Sequence, residues 1–226
     1  MNIKHIFFDL DHTLWDFETN SNKTFELIFD RHKINVEFND FKEIYKPINE
    51  KYWKLFREDK VTKADLRYSR LKEAFDLLNY EINDDIIDVL SEDYITYLST
   101  HNTLFEGAID ILSYLQNKYQ MHIITNGFEE VQFKKLKNAK LLPFFDQIIT
   151  SEKVGVKKPN PKIFNYALNA ANAKADESIM IGDNFQADIL GAKSAGMHTI
   201  FCEFNGEVAT EPVMSVSKLM QLKTYL

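Results

Sequence analysis

The chain has 226 residues, 45% hydrophobic and 27% charged, with 18 Phe and 10 Tyr; that composition can bury a sizeable core and excludes wholesale disorder. It carries 34 Asp+Glu against 27 Lys+Arg, a net charge of −7, and its single cysteine, Cys202, excludes an internal disulfide and any cysteine-cluster metal site. Residues 15–102 hold 19 acids and 13 bases (net −6) and the remainder 15 and 14 (net −1), so neither part offers the basic stripe a nucleic-acid polymer needs, while a small anionic substrate stays compatible with a locally positive site. No apolar run approaches the roughly 18 residues of a membrane helix. An acid at Asp9 interrupts the N-terminal apolar stretch before a signal-peptide core could form, so the expected location is cytoplasmic.

Residues 3–9, Ile-Lys-His-Ile-Phe-Phe-Asp, read as a buried strand ending on a carboxylate. No glycine precedes Gly107, and residues 20–100 show helical spacing in about four pieces. Phe25, Ile28, Phe29 and His32 mark the first; Phe41, Ile44, Tyr45, Ile48, Tyr52 and Phe56 mark the second, which Pro47 should break or kink. Thr62 with Asp65 three residues on should cap a third helix, and Asn83 a fourth. Beyond residue 103 short apolar runs alternate with amphipathic segments: helix 107–118, strand 121–125, helix 129–140, strand 147–150, helix 161–172, strand 178–181, helix 185–195, strand 197–201 and a last helix 215–225. Right-handed βαβ connections make this an α/β fold with a doubly wound, Rossmann-like parallel sheet. The first strand joins the later ones, so residues 1–14 plus 103–226 form the core and 15–102 an inserted α-helical domain.

Ligands of open α/β sheets bind beyond the carboxyl ends of the strands, and four such ends here carry polar groups. Asp9-Leu10-Asp11-His12-Thr13 places two acids two residues apart, which share a face if the chain stays extended; one suits a nucleophile or metal ligand, the other a proton carrier. Thr125-Asn126-Gly127 offers a hydroxyl and a backbone N–H for an anion, Lys157-Lys158-Pro159 a cation, and Gly182-Asp183-Asn184 with Asp188 an oxygen-rich set suited to Mg²⁺. Each also has a plain structural reading: an acid-rich turn, an Asn-Gly turn, a solvated basic turn, and helix capping by Asp183 with Asp188 complementing the helix dipole. Their joint order supplies the parts of a phosphoryl-transfer site. His12, between two inward-facing neighbours, should point away from it.

These residues resemble the four motifs of the haloacid dehalogenase (HAD) superfamily: Asp9-x-Asp11-x-Thr13, Thr125, Lys158, and Gly182-Asp183 with Asp188. The gap of about 110 residues between the first two resembles the subgroup with an inserted helical cap. The stretches Phe7–Leu14, Ile123–Phe128 and Ser151–Pro159 are similar to bacterial pyrimidine 5′-nucleotidases of the house-cleaning type. The resemblance implies a Mg²⁺-dependent phosphatase working through an aspartyl-phosphate on a small phosphorylated metabolite, a pyrimidine nucleoside 5′-monophosphate above others. It implies Asp9 as nucleophile and Asp11 as acid and base. Mg²⁺ is then held by Asp9, the Asp11 carbonyl and Asp183, with Asp188 holding a metal water or orienting Lys158. Thr125 and the Asn126 N–H hold the phosphate and Lys158 offsets charge, while the cap closes over the site. A monomer or weak dimer is expected.

Trp15 and Phe17, where the chain enters the cap, either stack a base or pack the hinge, and packing is the commoner fate of large aromatics. Trp53 and Phe56 read as cap core, and Arg57, Arg67 and Arg70 either meet a substrate or form surface ion pairs, the default for such residues. The rival readings are a 2-haloacid dehalogenase, which Asp11 and Asp183 disfavour, a sugar-phosphate phosphatase, phosphomutase or phosphonate hydrolase on the same fold, and a non-catalytic binding protein.

Overall fold

A computed structural model of the protein describes residues 2–204 and 206–226. In chain order its elements are β1 (His5–Phe8), α1 (Phe17–His32), α2 (Phe38–Arg57), α3 (Lys63–Leu77), α4 (Asp84–Leu98), α5 (Ala108–Leu115), β2 (Gln120–Thr125), α6 (Glu129–Asn138), β3 (Gln147–Thr150), α7 (Ser151–Val154), α8 (Pro161–Ala170), β4 (Ser178–Gly182), a π-helix (Phe185–Leu190), α9 (Gly191–Ser194), β5 (His198–Cys202) and β6 (Ser215–Val216), closed by a 3₁₀ helix (Leu219–Thr224). The chain divides into two compact units, Met1–Glu18 with Asn102–Leu226, and Thr19–His101.

The first unit is an α/β domain whose six strands are all parallel, in the order β3-β2-β1-β4-β5-β6. β1 lies centrally, with Phe8 opposite Ile123 of β2 and Ile181 of β4. Its residues are buried on both faces, as an apolar run with no polar alternation requires. On one face Phe7, Ile124, Ile149 and Met180 pack with Ile163, Phe164 and Ala167 of α8 and Ala192 of α9. The strand order reverses at β1, where β2 and β4 diverge, so the crevice beyond its C-terminal end is where such sheets bind ligands.

The expected last helix at 215–225 is not formed. Ser215–Val216 pair in parallel with Phe201–Cys202, and the chain then turns into the 3₁₀ helix, whose period of three buries both Leu219 and Leu222. The expected helix at 185–195 begins as a π-helix and becomes α-helical at Gly191.

The second unit is helical, as its spacing predicts. Phe25 sits at its centre, with ring centroids 4.9 Å from Phe41, 4.7 Å from Tyr45 and 4.6 Å from Tyr94. Thr62 and Asp65 close a reciprocal capping box on α3, and Asn83 caps α4. Pro47 does not break α2, which runs unbroken from Phe38 to Arg57. Packing of Phe41, Tyr45, Ile48 and Phe56 on one buried stripe outweighs the roughly 3 kcal/mol that an interior proline costs. Arg67 forms an ion pair, 2.7 Å from Glu92, but Arg70 forms none among the described residues. Its guanidinium is buried, donates to Asn49 Oδ1 at 2.8 Å and lies over the rings of Tyr94 and Tyr45. No helix among the described residues is long and apolar enough to cross a membrane.

Candidate active site

The crevice residues begin where β1 ends. The Asp9 N–H still donates to the Ile181 carbonyl at 2.9 Å, but the chain then leaves the sheet. The Leu10 carbonyl accepts from Leu14 N (3.0 Å) and Trp15 N (2.9 Å), and His12 takes a left-handed φ of 61°. The extended run that would put Asp9 and Asp11 on one face therefore does not persist, and strand alternation does not govern His12, whose ring lies 4.9 Å from that of Phe17. Because of this turn the two acids meet different partners.

Asp9 meets Lys158. The Lys158 ammonium has three donors, and three oxygens surround it: Asp9 Oδ1 at 2.6 Å, Asp188 Oδ1 at 2.6 Å and the Ile124 carbonyl at 2.7 Å. The ammonium thus counters the charge of two carboxylates. Burial opposes its charge, yet Asp188 and Asp9 together hold it above the ordinary lysine value. Asp188 is itself buried. Its second oxygen accepts from Asn184 N at 3.1 Å, and Asn184 caps the π-helix through Ala187 N at 2.8 Å. That carboxylate lies so near β4 that a Cβ on Gly182 would come within 2.5 Å of Asp188 Cγ; only glycine fits there. Asp183 accepts from the Thr13 hydroxyl at 3.2 Å.

Asp9, Asp183 and Asp188 bring carboxylate oxygens within 4.8 Å of one another. Burial pushes Asp9 well above the carboxylate range, with Asp188 and Asp183 adding to the shift and Lys158 opposing it. Burial, reinforced by Asp188, pushes Asp183 up to about 8. Three carboxylates against one ammonium leave a formal charge of −2 when all are ionised, and a divalent cation among hard oxygen donors is what such a set fits.

Thr125 and Asn126 lie at the end of β2. The Thr125 hydroxyl accepts from Gly127 N at 3.1 Å and from Gln132 Nε2 at 2.7 Å, which leaves its own proton to donate outward. The Asn126 side chain bridges to the neighbouring loop: Oδ1 accepts from Lys158 N (2.8 Å) and Nδ2 donates to the Lys158 carbonyl (3.0 Å). It fixes the backbone that carries the lysine.

Asp11 has partners that the motif pattern does not reveal. Lys135 Nζ lies 2.5 Å from Asp11 Oδ1, and Gln132 Nε2 donates to Asp11 Oδ2 at 2.9 Å. Both come from α6, whose buried stripe is Val131, Gln132, Lys135 and Leu136. Burial lowers Lys135 from the ordinary lysine value, with Asp11 opposing. Its ammonium lies 4.2 Å from the Trp15 ring centroid and 5.4 Å from that of Phe17. Trp15 is fully buried, so of the two expectations for this pair the packing one holds: these rings wall a lysine. The available sequence signal was two polar residues occupying the apolar stripe of an amphipathic helix.

Residues 3–196 match the haloacid dehalogenase-like hydrolase family. The chain is 32% identical over 225 residues to pyrimidine 5′-nucleotidase YjjG of Escherichia coli, covering 98% of this chain and 96% of that one. It is 33% identical over 217 residues to a glyceraldehyde 3-phosphate phosphatase of Pyrococcus furiosus, covering 89% and 81%. The crystal structure of YfnB from Bacillus subtilis, bound to magnesium, superimposes with a TM-score of 0.91 at 31% identity, covering 100% of this chain and 99% of that one. A parallel sheet with an acid-bearing turn after its central strand, a buried lysine shared by two carboxylates and a match over most of its length together place this chain in the haloacid dehalogenase-like hydrolase family.

Proposed function

We propose that the protein is a Mg²⁺-dependent phosphatase that hydrolyses small phosphomonoesters through an aspartyl-phosphate, with pyrimidine nucleoside 5′-monophosphates as its substrates. The observation that carries this reading is the buried cluster of Asp9, Asp183 and Asp188 countered by Lys158, with Asp11 held separately beside it. An Asp9 oxygen attacks phosphorus; the ester P–O bond breaks, its electron pair goes to the leaving oxygen, and Asp11 supplies the proton. Water then attacks the phosphorus of the aspartyl-phosphate, the bond from phosphorus to the Asp9 oxygen breaks, and Asp11 takes the water proton, which releases phosphate and restores the Asp9 carboxylate and the protonated Asp11.

Lys158, itself anchored on the Ile124 carbonyl, fixes Asp9 for that attack, and the Thr125 hydroxyl with the Asn126 N–H holds phosphoryl oxygens. Asp9, Asp183 and the Asp11 carbonyl would hold the cation, with Asp188 acting through a water or through Lys158. Bound there, Mg²⁺ screens the repulsion between an anionic nucleophile and an anionic ester. The presence of Asp11 speaks against a dehalogenase, in which carbon–halogen cleavage needs no acid for the leaving group.

A second reading, a sugar-phosphate phosphatase, is supported by the Pyrococcus furiosus relative. The test is phosphate release from a panel of nucleoside monophosphates and sugar phosphates, with Mg²⁺ or EDTA, beside Asp9→Asn. Mg²⁺-dependent turnover that favours pyrimidine monophosphates and vanishes in the variant is expected. Turnover favouring triose and sugar phosphates keeps the mechanism and replaces the substrate. Halide release from 2-chloropropionate regardless of EDTA, with no phosphate release, overturns both.

A further inference from the structure

Lys135 is a costly residue to place where it stands. It is 2% exposed, its hydrogen-bonding partner among the described residues is Asp11, and the rest of its surroundings include the faces of Trp15 and Phe17. Dehydrating a carboxylate and an ammonium costs several kcal/mol per ion, and a buried pair commonly does no better for stability than apolar side chains of the same volume. Gln132, fully buried on the same stripe of α6, spends both protons of its amide nitrogen on site residues, one on Asp11 and one on Thr125. Its carbonyl oxygen is buried and has no hydrogen-bond partner among the described residues, so the amide is oriented for its donors at the expense of its acceptor. Both residues point their donors at one carboxylate, one donor to each oxygen.

From this geometry we infer that Lys135 and Gln132 are positioning residues for Asp11: a charged and an amide donor from one face of α6 that hold its carboxylate at the angle from which it protonates the leaving oxygen. The inference rests on the phosphatase reading and on Asp11 as the acid of that reaction. Each carboxylate oxygen offers two lone-pair sites, and each clamp donor uses one, so a site stays open on either oxygen for proton exchange with substrate or water. The Asp11 side chain is 20% exposed, which leaves that open side reachable. The turn at residues 10–15 takes the Asp11 backbone out of the sheet ladder into an isolated bridge with Trp15, and α6 supplies donors to both of its carboxylate oxygens. Gln132 also joins two parts of the site, because the amide that orients Asp11 orients the Thr125 hydroxyl as well. Trp15 and Phe17 keep the Lys135 ammonium from turning elsewhere by enclosing it without offering an acceptor of their own.

A positioning role for the acid has a signature that a structural role lacks. An alkyl ester such as a nucleoside monophosphate needs a proton on its departing alkoxide, whereas p-nitrophenyl phosphate expels a stable anion without one. The measurement is kcat/KM for both esters in Lys135→Met and Gln132→Met; kcat/KM covers the steps up to ester cleavage and is blind to later hydrolysis of the aspartyl-phosphate. General acid–base catalysis contributes about 10²–10⁴-fold, and misplacement by about 1 Å can cost about 10²-fold. Each variant is expected to lose on the order of 10²-fold on the alkyl ester and less than about tenfold on the aryl ester. Equal losses on the two esters, or no loss on either, overturn the inference while leaving the phosphatase reading in place. A wild-type protein that releases phosphate from neither ester overturns both. Gln132→Met removes no charge and keeps side-chain length, so it decides the matter if Lys135→Met does not fold.

Discussion

Replacing Lys158 with methionine keeps most of the side-chain volume and removes the ammonium that contacts both Asp9 and Asp188. Coulomb's law at an effective dielectric of about 20 gives about 6 kcal/mol of gross attraction for each 2.6 Å contact. Dehydration of the ammonium offsets much of it, and truncating one partner of a buried pair typically costs about 3–5 kcal/mol. The carboxyls can escape that cost by taking up protons, so the loss must depend on pH. Asp9 and Asp183 already lie above the ordinary carboxylate range, Asp183 at about 8, so between about pH 4 and pH 8 the native state binds more protons than the unfolded chain. Stability therefore falls as pH rises through that window, by about 1.4 kcal/mol per pH unit for each extra proton. Loss of Lys158 pushes the same carboxyls higher and carries the fall on to higher pH. In EDTA, urea unfolding should show Lys158→Met about 1–2 kcal/mol less stable than wild type at pH 5, where the unmade hydrogen bond to the Ile124 carbonyl dominates. At pH 9 the gap should widen to about 3–5 kcal/mol, and Mg²⁺ should narrow it. A gap of the same size at both pH values would refute the argument, because the lysine would then not be countering ionised carboxylates.

Other consequences follow from individual contacts. Gly127→Ala places a Cβ about 2.5 Å from Gln132 Nε2, so the amide must swing off Asp11 and Thr125. A loss of about 1–3 kcal/mol in stability is expected from the two hydrogen bonds, together with the same selective fall in alkyl-ester turnover, read by thermal melting and by the ester pair. Because Asp183 holds its proton up to about pH 8, Mg²⁺ must displace it. Affinity measured by calorimetry should rise at least about tenfold per pH unit from pH 6 to 8, and a flat profile contradicts the assignment of Asp183 to the cation. Burial, aided by Asp183, Asp188 and Asp9, raises the Cys202 thiol well above its ordinary value. A thiol reagent at pH 8 should find no reactive sulfur in the native protein and one after unfolding; fast native labelling contradicts the packing of β5.

The fold was legible wherever a long periodic pattern carried it. The apolar run Ile6–Phe8 between His5 and Asp9 has one stable home, the middle of a parallel sheet, and the structure puts it there. Thr62 and Asn83 announced two helix starts because their side chains have specific donors to satisfy. The misses are local rules overruled by packing. Pro47 removes one hydrogen bond from a 20-residue helix whose buried stripe holds on both sides of it. At the C-terminus a two-residue edge strand has no period to detect, and Leu219 and Leu222 suit an α-helix or a 3₁₀ helix equally until the sheet edge selects between them.

The site divides in the same way. Asp9, Thr125, Lys158 and Asp183 stand at strand ends or in the loops beside them, where sequence position alone implies a place in the crevice, and the structure gathers them. Lys135 sits among Lys134 and Lys137 on a helix rich in charge, and composition gives all three the same solvated reading. What separates it is phase: with Val131, Gln132 and Leu136 it falls on the stripe that faces inward. That phase gives the two acids of the first turn separate lysines from separate elements, Asp9 from the loop after α7 and Asp11 from α6. Two carboxylates two residues apart can then do different work, since one shares its ammonium with a third acid and the other is held by an ammonium and an amide against aromatic rings. It also makes the two halves of the proposed reaction separable by mutation: changes around Lys158 act on the nucleophile and the cation site, and changes on α6 act on the proton that the leaving group needs.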